Sequence, residues 1–167
     1  MAVVLIIALI LVILFAGVLV FGAPYLPTLK KQNDEIFNLL KLKPGQTLLE
    51  LGSGDGRILR AAARRGIKAV GYELNPLLVG YAKLRNWPYR HLAQTHLRNF
   101  WQVKLEPADG IYVFLLKPYM AKLDKKITQE ITKLTPVVSF AFEFSGRKAT
   151  KKSIGLLLYE FKPQIRR

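Results

Sequence analysis

There is no cysteine in this chain, so no disulfide framework holds it together and no thiolate cluster can bind a metal. The two histidines, His91 and His96, have no cysteine to join them, and no metal site is expected. Carboxylates are scarce, 11 Asp and Glu against 26 Lys and Arg, which leaves a formal net charge of +15. The absence of cysteine fits a reducing compartment. No internal repeat and no low-complexity tract is present, which excludes solenoid and fibrous classes. Zinc-finger spacing and an RNP-like aromatic strand are also missing, so the common nucleic-acid readers are excluded.

The most consequential absence is local. No charged residue precedes Lys30, and Ala2 to Phe21 carries no hydrogen-bonding side chain at all. Twenty residues at ~1.5 Å each span ~30 Å, the hydrocarbon thickness of a bilayer. A buried globular helix would show a polar stripe, and a secretory signal would show a basic start and a shorter apolar core. Residues 1–23 therefore read as one uncleaved transmembrane anchor, with Gly22-Ala23 as the alternative of a cleaved signal. Pro24 to Pro27 make a short stiff connector over residues 24–29. Residues 30–167 are long enough for one domain with one core. Every basic residue lies after the anchor, and positive charge favours the cytoplasmic side. The expectation is a single-pass protein with its N-terminus outside and its domain cytoplasmic. The basic surface suits anionic lipid, at about 1 kcal/mol per basic side chain near the membrane.

What is present begins with Glu50-Leu51-Gly52-Ser53-Gly54-Asp55-Gly56-Arg57. It follows a short apolar run and opens an Ala/Leu/Arg segment of helical character. Strand, glycine loop and helix together present backbone N–H groups to a ligand. Alternate glycines bend the chain sharply and leave room for something flat. A second acid, Glu73, follows 23 residues later, where it can bind ribose hydroxyls. The pattern implies a nucleoside-bearing cofactor. It is not the dinucleotide fingerprint, because Arg57 stands where the last glycine would fall, and it lacks the Lys-Ser/Thr ending of a P-loop.

Along the domain, Lys31–Leu40 reads as a helix, Lys43–Gln46 as a turn and Thr47–Leu51 as strand one. A helix with Ile58, Leu59 and Ala62 inward runs to about Arg65, and Lys68–Glu73 is strand two. Asn75 caps a helix with Pro76 at its first position, ending near Trp87 before Pro88. Further strands are expected at Gln94–Leu97, Asp109–Leu116, Val137–Phe144 and Ser153–Phe161. An amphipathic helix is expected over Tyr119–Leu134, with Met120, Leu123, Ile127, Ile131 and Leu134 on its apolar face. The alternation predicts an α/β Rossmann-like fold, with a mostly parallel sheet and helices on both faces.

The acidic glycine loop resembles motif I of the class I S-adenosylmethionine-dependent methyltransferases. Three further runs narrow the resemblance: Gly-Tyr-Glu-Leu-Asn-Pro at 71–76, Val-Phe-Leu-Leu-Lys-Pro at 113–118, and Pro-Tyr-Leu-Pro-Thr at 24–28 after the apolar segment. Over most of residues 24–145 the chain resembles the small membrane-anchored protein-lysine methyltransferases related to those that modify the c-subunit of ATP synthase and the adenine nucleotide translocase. The resemblance implies S-adenosyl-L-methionine as cofactor. It implies Glu50, Gly52, Ser53, Gly54, Gly56, Glu73, Leu74, Asn99 and Phe100 as the residues around it. Asn99 departs from the family, which has Asp there, and Lys117 interrupts the family's Val-Phe-Leu-Ala-Pro.

The acceptor is expected beyond the carboxyl end of strand four, in a channel beside Phe114, Leu115 and Pro118. No general base is evident; Tyr112 and Glu143 are the candidates to orient or deprotonate an amine. The implied reaction is methyl transfer to a lysine of an integral membrane protein. Two other classes stay open: a methyltransferase of nucleic acid or small molecules, and a non-catalytic membrane scaffold.

Overall fold

The computed structural model describes residues 30–164, together with residues 1, 4–6 and 9. The expected anchor falls almost wholly outside the described residues, as does the connector. Among the described residues no helix is long and apolar enough to cross a membrane.

Helix α1 (Lys30–Leu40) places Ile36, Phe37, Leu39 and Leu40 in the core. β1 (Thr47–Leu51), β2 (Lys68–Glu73) and β3 (Ala93–Leu97) alternate with α2 (Arg57–Ala63) and α3 (Pro76–Arg85), and a 3₁₀ turn at Trp87–Tyr89 follows α3. β4 (Gly110–Val113), α4 (Lys117–Glu130), β5 (Thr135–Phe140), β6 (Lys151–Ser153) and β7 (Leu156–Phe161) complete the chain. The strands form one sheet in the order β3-β2-β1-β4-β5-β7-β6. β1 to β5 pair in parallel; β7 pairs antiparallel with both β5 and β6.

Parallel strands covered on both faces read as near-continuous apolar runs, and Thr47-Leu48-Leu49-Glu50-Leu51 does so apart from one acid. Leu48 and Tyr112 face the cluster under α1 and α2, and Leu49, Leu51 and Val113 the cluster under α4. Asn75 caps α3 as its type predicts: its side-chain oxygen accepts from the Leu77 and Leu78 amides at 2.9 and 3.4 Å. The strand order reverses between β1 and β4. Such a switch point is where an open α/β sheet leaves a crevice for a ligand.

Several boundaries differ from the sequence expectation. α4 starts earlier, because Pro118 suits a first helical turn. It ends at Glu130, where Ile131 turns extended (ψ 147°), so Leu134 is 54 % exposed and not on the helix face. β4 stops at Val113, since Phe114–Leu116 must lead into that helix. Ser153–Phe161 is a hairpin, not one strand. Ile154 and Gly155 form its two-residue turn, both with positive φ (51° and 76°). Two positive φ values fit a type I′ turn, whose usual signal is Asn-Gly or Asp-Gly. A β-branched residue at positive φ is an outlier, and it hid the turn.

Candidate cofactor site

Beyond Leu51 the chain turns through Gly52, Ser53, Gly54, Asp55 and Gly56 into α2. Gly52, Gly54 and Gly56 have φ of 86°, 52° and 69°. The loop is fastened to the end of β2. The amides of Gly52 and Ser53 both donate to the Tyr72 carbonyl at 2.9 and 3.0 Å. The Gly54 amide donates to Glu73 Oε2 at 2.8 Å. Glu73 Oε1 accepts from the amides of Leu74 and Asn75, both at 2.8 Å. A carboxylate offers about four acceptor positions. Three are filled by backbone, and one on Oε2 is left for a ligand hydroxyl.

Gly71 explains how the loop comes so close. A Cβ there would stand 2.5 Å from Ser53 Cβ and 2.7 Å from Leu59 Cδ1, so only glycine lets the loop and α2 lie on β2. At Gly52 the situation is opposite. Nothing lies within 4 Å of where its Cβ would be, so the loop borders open space. Asn86, at the end of α3, ties the loop from the other side: its Nδ2 donates to the Gly56 carbonyl at 3.0 Å and its Oδ1 accepts from Arg60 at 2.9 Å. Nothing in the sequence marks this role for Asn86, because an Asn before Trp-Pro signals only a helix end.

Three acids gather here in a chain of net charge +15. Glu50 is buried, and burial pushes its carboxyl well above the ordinary carboxylate range; the charges of Asp55 and Glu73 push the same way, against Arg57. Burial also raises Asp55, but the Arg57 guanidinium, bonded to it at 3.0 Å, outweighs that and holds it low. Glu50 Oε2, Ser53 Oγ and Asn75 Nδ2 are buried without a hydrogen-bond partner. Buried polar atoms are normally satisfied, so orphans clustered at a strand-end crevice point to a ligand. A positively charged ligand beside this carboxyl would offset the neighbouring acids and favour its ionised form.

Asn99 and Phe100 follow β3, which lies beside β2. The Arg98 amide donates to the Glu73 carbonyl at 3.1 Å, bringing Asn99 to the same edge of the sheet. Asn99 Oδ1 accepts from the Trp101 amide at 3.0 Å, and Phe100 is buried with its ring centroid 4.6 Å from that of Trp101. Glu50, Gly52, Ser53, Gly54, Gly56, Glu73, Leu74 and Asn99 are thus brought to the carboxyl ends of β1, β2 and β3.

The acceptor-side residues are brought together only in part. Phe114 is half-buried; its ring lies edge-on to Phe140 at 5.2 Å and stacks with Phe142 at 6.5 Å. Leu115 instead turns into the core cluster under α4, so it lines no channel, and Pro118 is exposed on the first turn of α4. Tyr112 is buried opposite Glu50 in the strand register, within the cluster under α1 and α2. Glu143 is exposed and paired with Lys152 at 2.6 Å, which lowers its pKa and makes it a weaker base.

Phe140 and Phe142 read from the sequence only as strand residues. They flank Ala141, whose φ is 66° and whose neighbours close a three-residue turn, the Phe142 amide donating to the Phe140 carbonyl at 2.8 Å. Such a γ-turn is rare and strained. Two bonds hold it: the Ala141 amide to the Gly155 carbonyl, and Ser139 Oγ to the Phe142 carbonyl, each 2.8 Å. No sequence signal marks it, since Ala is not a turn residue of this kind.

Comparison with known proteins agrees with this architecture. Residues 50–151 match the family described as the ANTKMT methyltransferase domain. The chain is 35% identical over 123 residues to the lysine N-methyltransferase of the ATP synthase c-subunit from Homo sapiens, covering 72% of this chain and 52% of that protein. It is 38% identical over 122 residues to the adenine nucleotide translocase lysine N-methyltransferase of Mus musculus, covering 71% and 53%. A protein-lysine N-methyltransferase of Saccharolobus islandicus is 32% identical over 127 residues, covering 74% and 79%. The chain thus spans about half the length of its human and mouse relatives. Among solved structures, an RNA methyltransferase of Salinibacter ruber in complex with S-adenosyl-L-homocysteine superposes with a TM-score of 0.75 at 28% identity, over 83% of this chain and 95% of that one. A matched stretch that runs from Glu50 through the glycine loop and Glu73 to β6, on a sheet of this order, places the chain in the ANTKMT methyltransferase domain family, whose fold is that of the class I S-adenosylmethionine-dependent methyltransferases.

Proposed function

We propose that the protein transfers a methyl group from S-adenosylmethionine to a lysine amine of a membrane protein, at the surface of the bilayer that holds its own N-terminal segment. The observation that carries the cofactor half is the acidic crevice at the carboxyl ends of β1 and β2: one free acceptor position on Glu73, the orphaned Glu50 carboxyl and the open space beside Gly52. Those residues fit the cofactor. Glu73 and Asn99 suit the nucleoside, and the acids suit its sulfonium and ammonium charges. When bound, the cofactor supplies an already activated methyl group.

The protein's work is then positional. The Glu73–Gly54 clamp fixes the loop before any ligand arrives, so little is left to order on binding. Phe114, Phe140 and Phe142 form an aromatic group where β4 and β5 end. Such a group packs along a lysine stem and keeps water from the amine. A neutral amine is the nucleophile, and no side chain in the crevice is a committed base.

The acceptor reading is supported by two facts. Relatives are named for lysines of the ATP synthase c-subunit and of the adenine nucleotide translocase. Ala2–Phe21 is apolar over a bilayer's thickness, and the five residues Pro24–Thr28 reach at most ~18 Å. Confinement raises the effective concentration of membrane-bound acceptors. With the N-terminus outside, the domain works at the cytoplasmic face. The test is to incubate membranes containing the full chain with labelled S-adenosylmethionine. Methyl-lysine on an integral membrane protein is expected, together with resistance of the enzyme to carbonate extraction. Label on RNA or a lipid-soluble small molecule would end the lysine reading and leave the cofactor reading standing.

A further inference from the structure

Helix α3 is apolar on two sides. Val79 and Ala82 are buried against the sheet. Leu77, Tyr81 and Leu84 face outward, 45 %, 46 % and 74 % exposed, and Trp87 beyond them is 63 % exposed. At ~100° per residue the three outward helix residues share roughly 60° of arc, so they form one ridge. Lys83 and Arg85 flank it on either side. Arg85 lies 5.5 Å from the Tyr81 ring centre and donates to its hydroxyl at 2.8 Å. Arg90 lies 4.7 Å over the Trp87 ring. No acid occurs between Glu73 and Glu106; those 32 residues carry Lys83, Arg85, Arg90, Arg98 and Lys104.

From this we infer that the outer face of α3, with Trp87, lies on an anionic lipid surface. Leucines submerged beneath a flanking row of bases, with Tyr and Trp at the boundary, are the composition of an interfacial helix. Charge decides among the occupants. A second copy would bring this acid-free basic face against another like it, which is unfavourable. A phosphate backbone would satisfy the bases and leave the leucine ridge without an apolar partner. An anionic bilayer satisfies both. The contact deepens the proposed function: α3 starts three residues after Glu73, so laying it on the membrane sets the angle at which the cofactor crevice meets a membrane-bound acceptor. It rests on that reading only for its purpose, because lipid contact is measured without substrate or turnover.

The test uses the full chain carrying Trp101→Phe, which leaves Trp87 as its one tryptophan, in vesicles of phosphatidylcholine with phosphatidylglycerol. Trp87 emission should shift to the blue and be quenched by brominated acyl chains. Leu84→Glu should abolish both changes while the thermal midpoint stays put, because Leu84 is on the surface. Arg90→Gln should weaken the contact about fivefold, the worth of one basic side chain near such a surface. Unquenched Trp87 in anionic vesicles would overturn the inference, and so would quenching that survives Leu84→Glu. Shielding of Trp87 that tracks protein concentration in place of lipid would assign the face to a second copy instead. None of these outcomes bears on whether lysine is the acceptor.

Discussion

Replacing Glu73 with Gln tests the cofactor crevice most directly, because the structure gives that carboxylate two separable duties. Oε1 accepts from Leu74 and Asn75, and Oε2 from Gly54. A carboxamide is almost the same size, but one end is now a donor. Its oxygen will serve the two adjacent amides, because the reverse orientation would oppose two donors to its NH₂. The Gly54 N–H then faces that NH₂ without an acceptor. Leaving a buried donor unmade costs about 1–3 kcal/mol, which lowers the midpoint of a domain this size by roughly 3–12 °C. The fourth acceptor position, assigned to a ribose hydroxyl, is lost as well. A hydrogen bond to a charged acceptor is worth about 1.5–3 kcal/mol, or roughly ten- to 150-fold in affinity. Calorimetric titration with S-adenosylhomocysteine, alongside thermal unfolding by circular dichroism, reads both. A lowered midpoint with native affinity would show that Glu73 only holds the loop. Native values in both measurements would refute the clamp and the ribose contact together.

The two kinds of glycine should separate stability from binding. Gly71→Ala forces a methyl into Ser53 and Leu59, and should cost about 1–3 kcal/mol of stability by overpacking, seen as a lower denaturation midpoint. Gly52→Ala meets no atom and costs only the positive-φ penalty of about 1–2 kcal/mol, but its methyl enters the ligand's space, so titration should show the larger loss in cofactor affinity. Glu50 has a folded-state pKa raised chiefly by burial. The folded state therefore holds its proton more tightly, and stability is lost as pH rises from the ordinary carboxylate range through that raised value. Glu50→Gln should flatten this part of the stability–pH profile and be relatively more stable above it; a profile identical to native would remove Glu50 as its source. The Glu143–Lys152 pair is exposed on both sides, so Glu143→Gln should leave turnover within about twofold, and a loss of about a hundredfold or more would restore it as a base.

Much of the fold could be read from the chain because its signals are local. Thr47–Leu51 and Lys68–Glu73 are bounded by turn residues and rich in apolar side chains, and both strands appear with the expected limits. Asn75-Pro76 marked the start of α3 by capping chemistry alone. The glycine loop and the two acids at their offset announced a ligand, since few other demands require three turns of the backbone and a carboxylate at the next strand end. The apolar run Ala2–Phe21 is likewise a property of composition, and it carries the membrane reading by itself.

Tertiary structure decided what depends on residues far apart in sequence. Which face of α3 would be left bare cannot be seen in Pro76–Arg85, because apolar residues occur on both sides of it; only its seat on β2 and β3 buries Val79 and Ala82 and exposes Leu77 and Leu84. That Leu115 turns inward while Phe114 joins Phe140 and Phe142 follows from where β4 ends and β5 returns beside it. The strain at Ala141 is held from a distance in sequence, because Gly155, in the β6–β7 turn, accepts from its amide. Local propensity names the strands, helices and caps, whereas burial and long-range hydrogen bonds choose the face, the turn and the partner of each side chain.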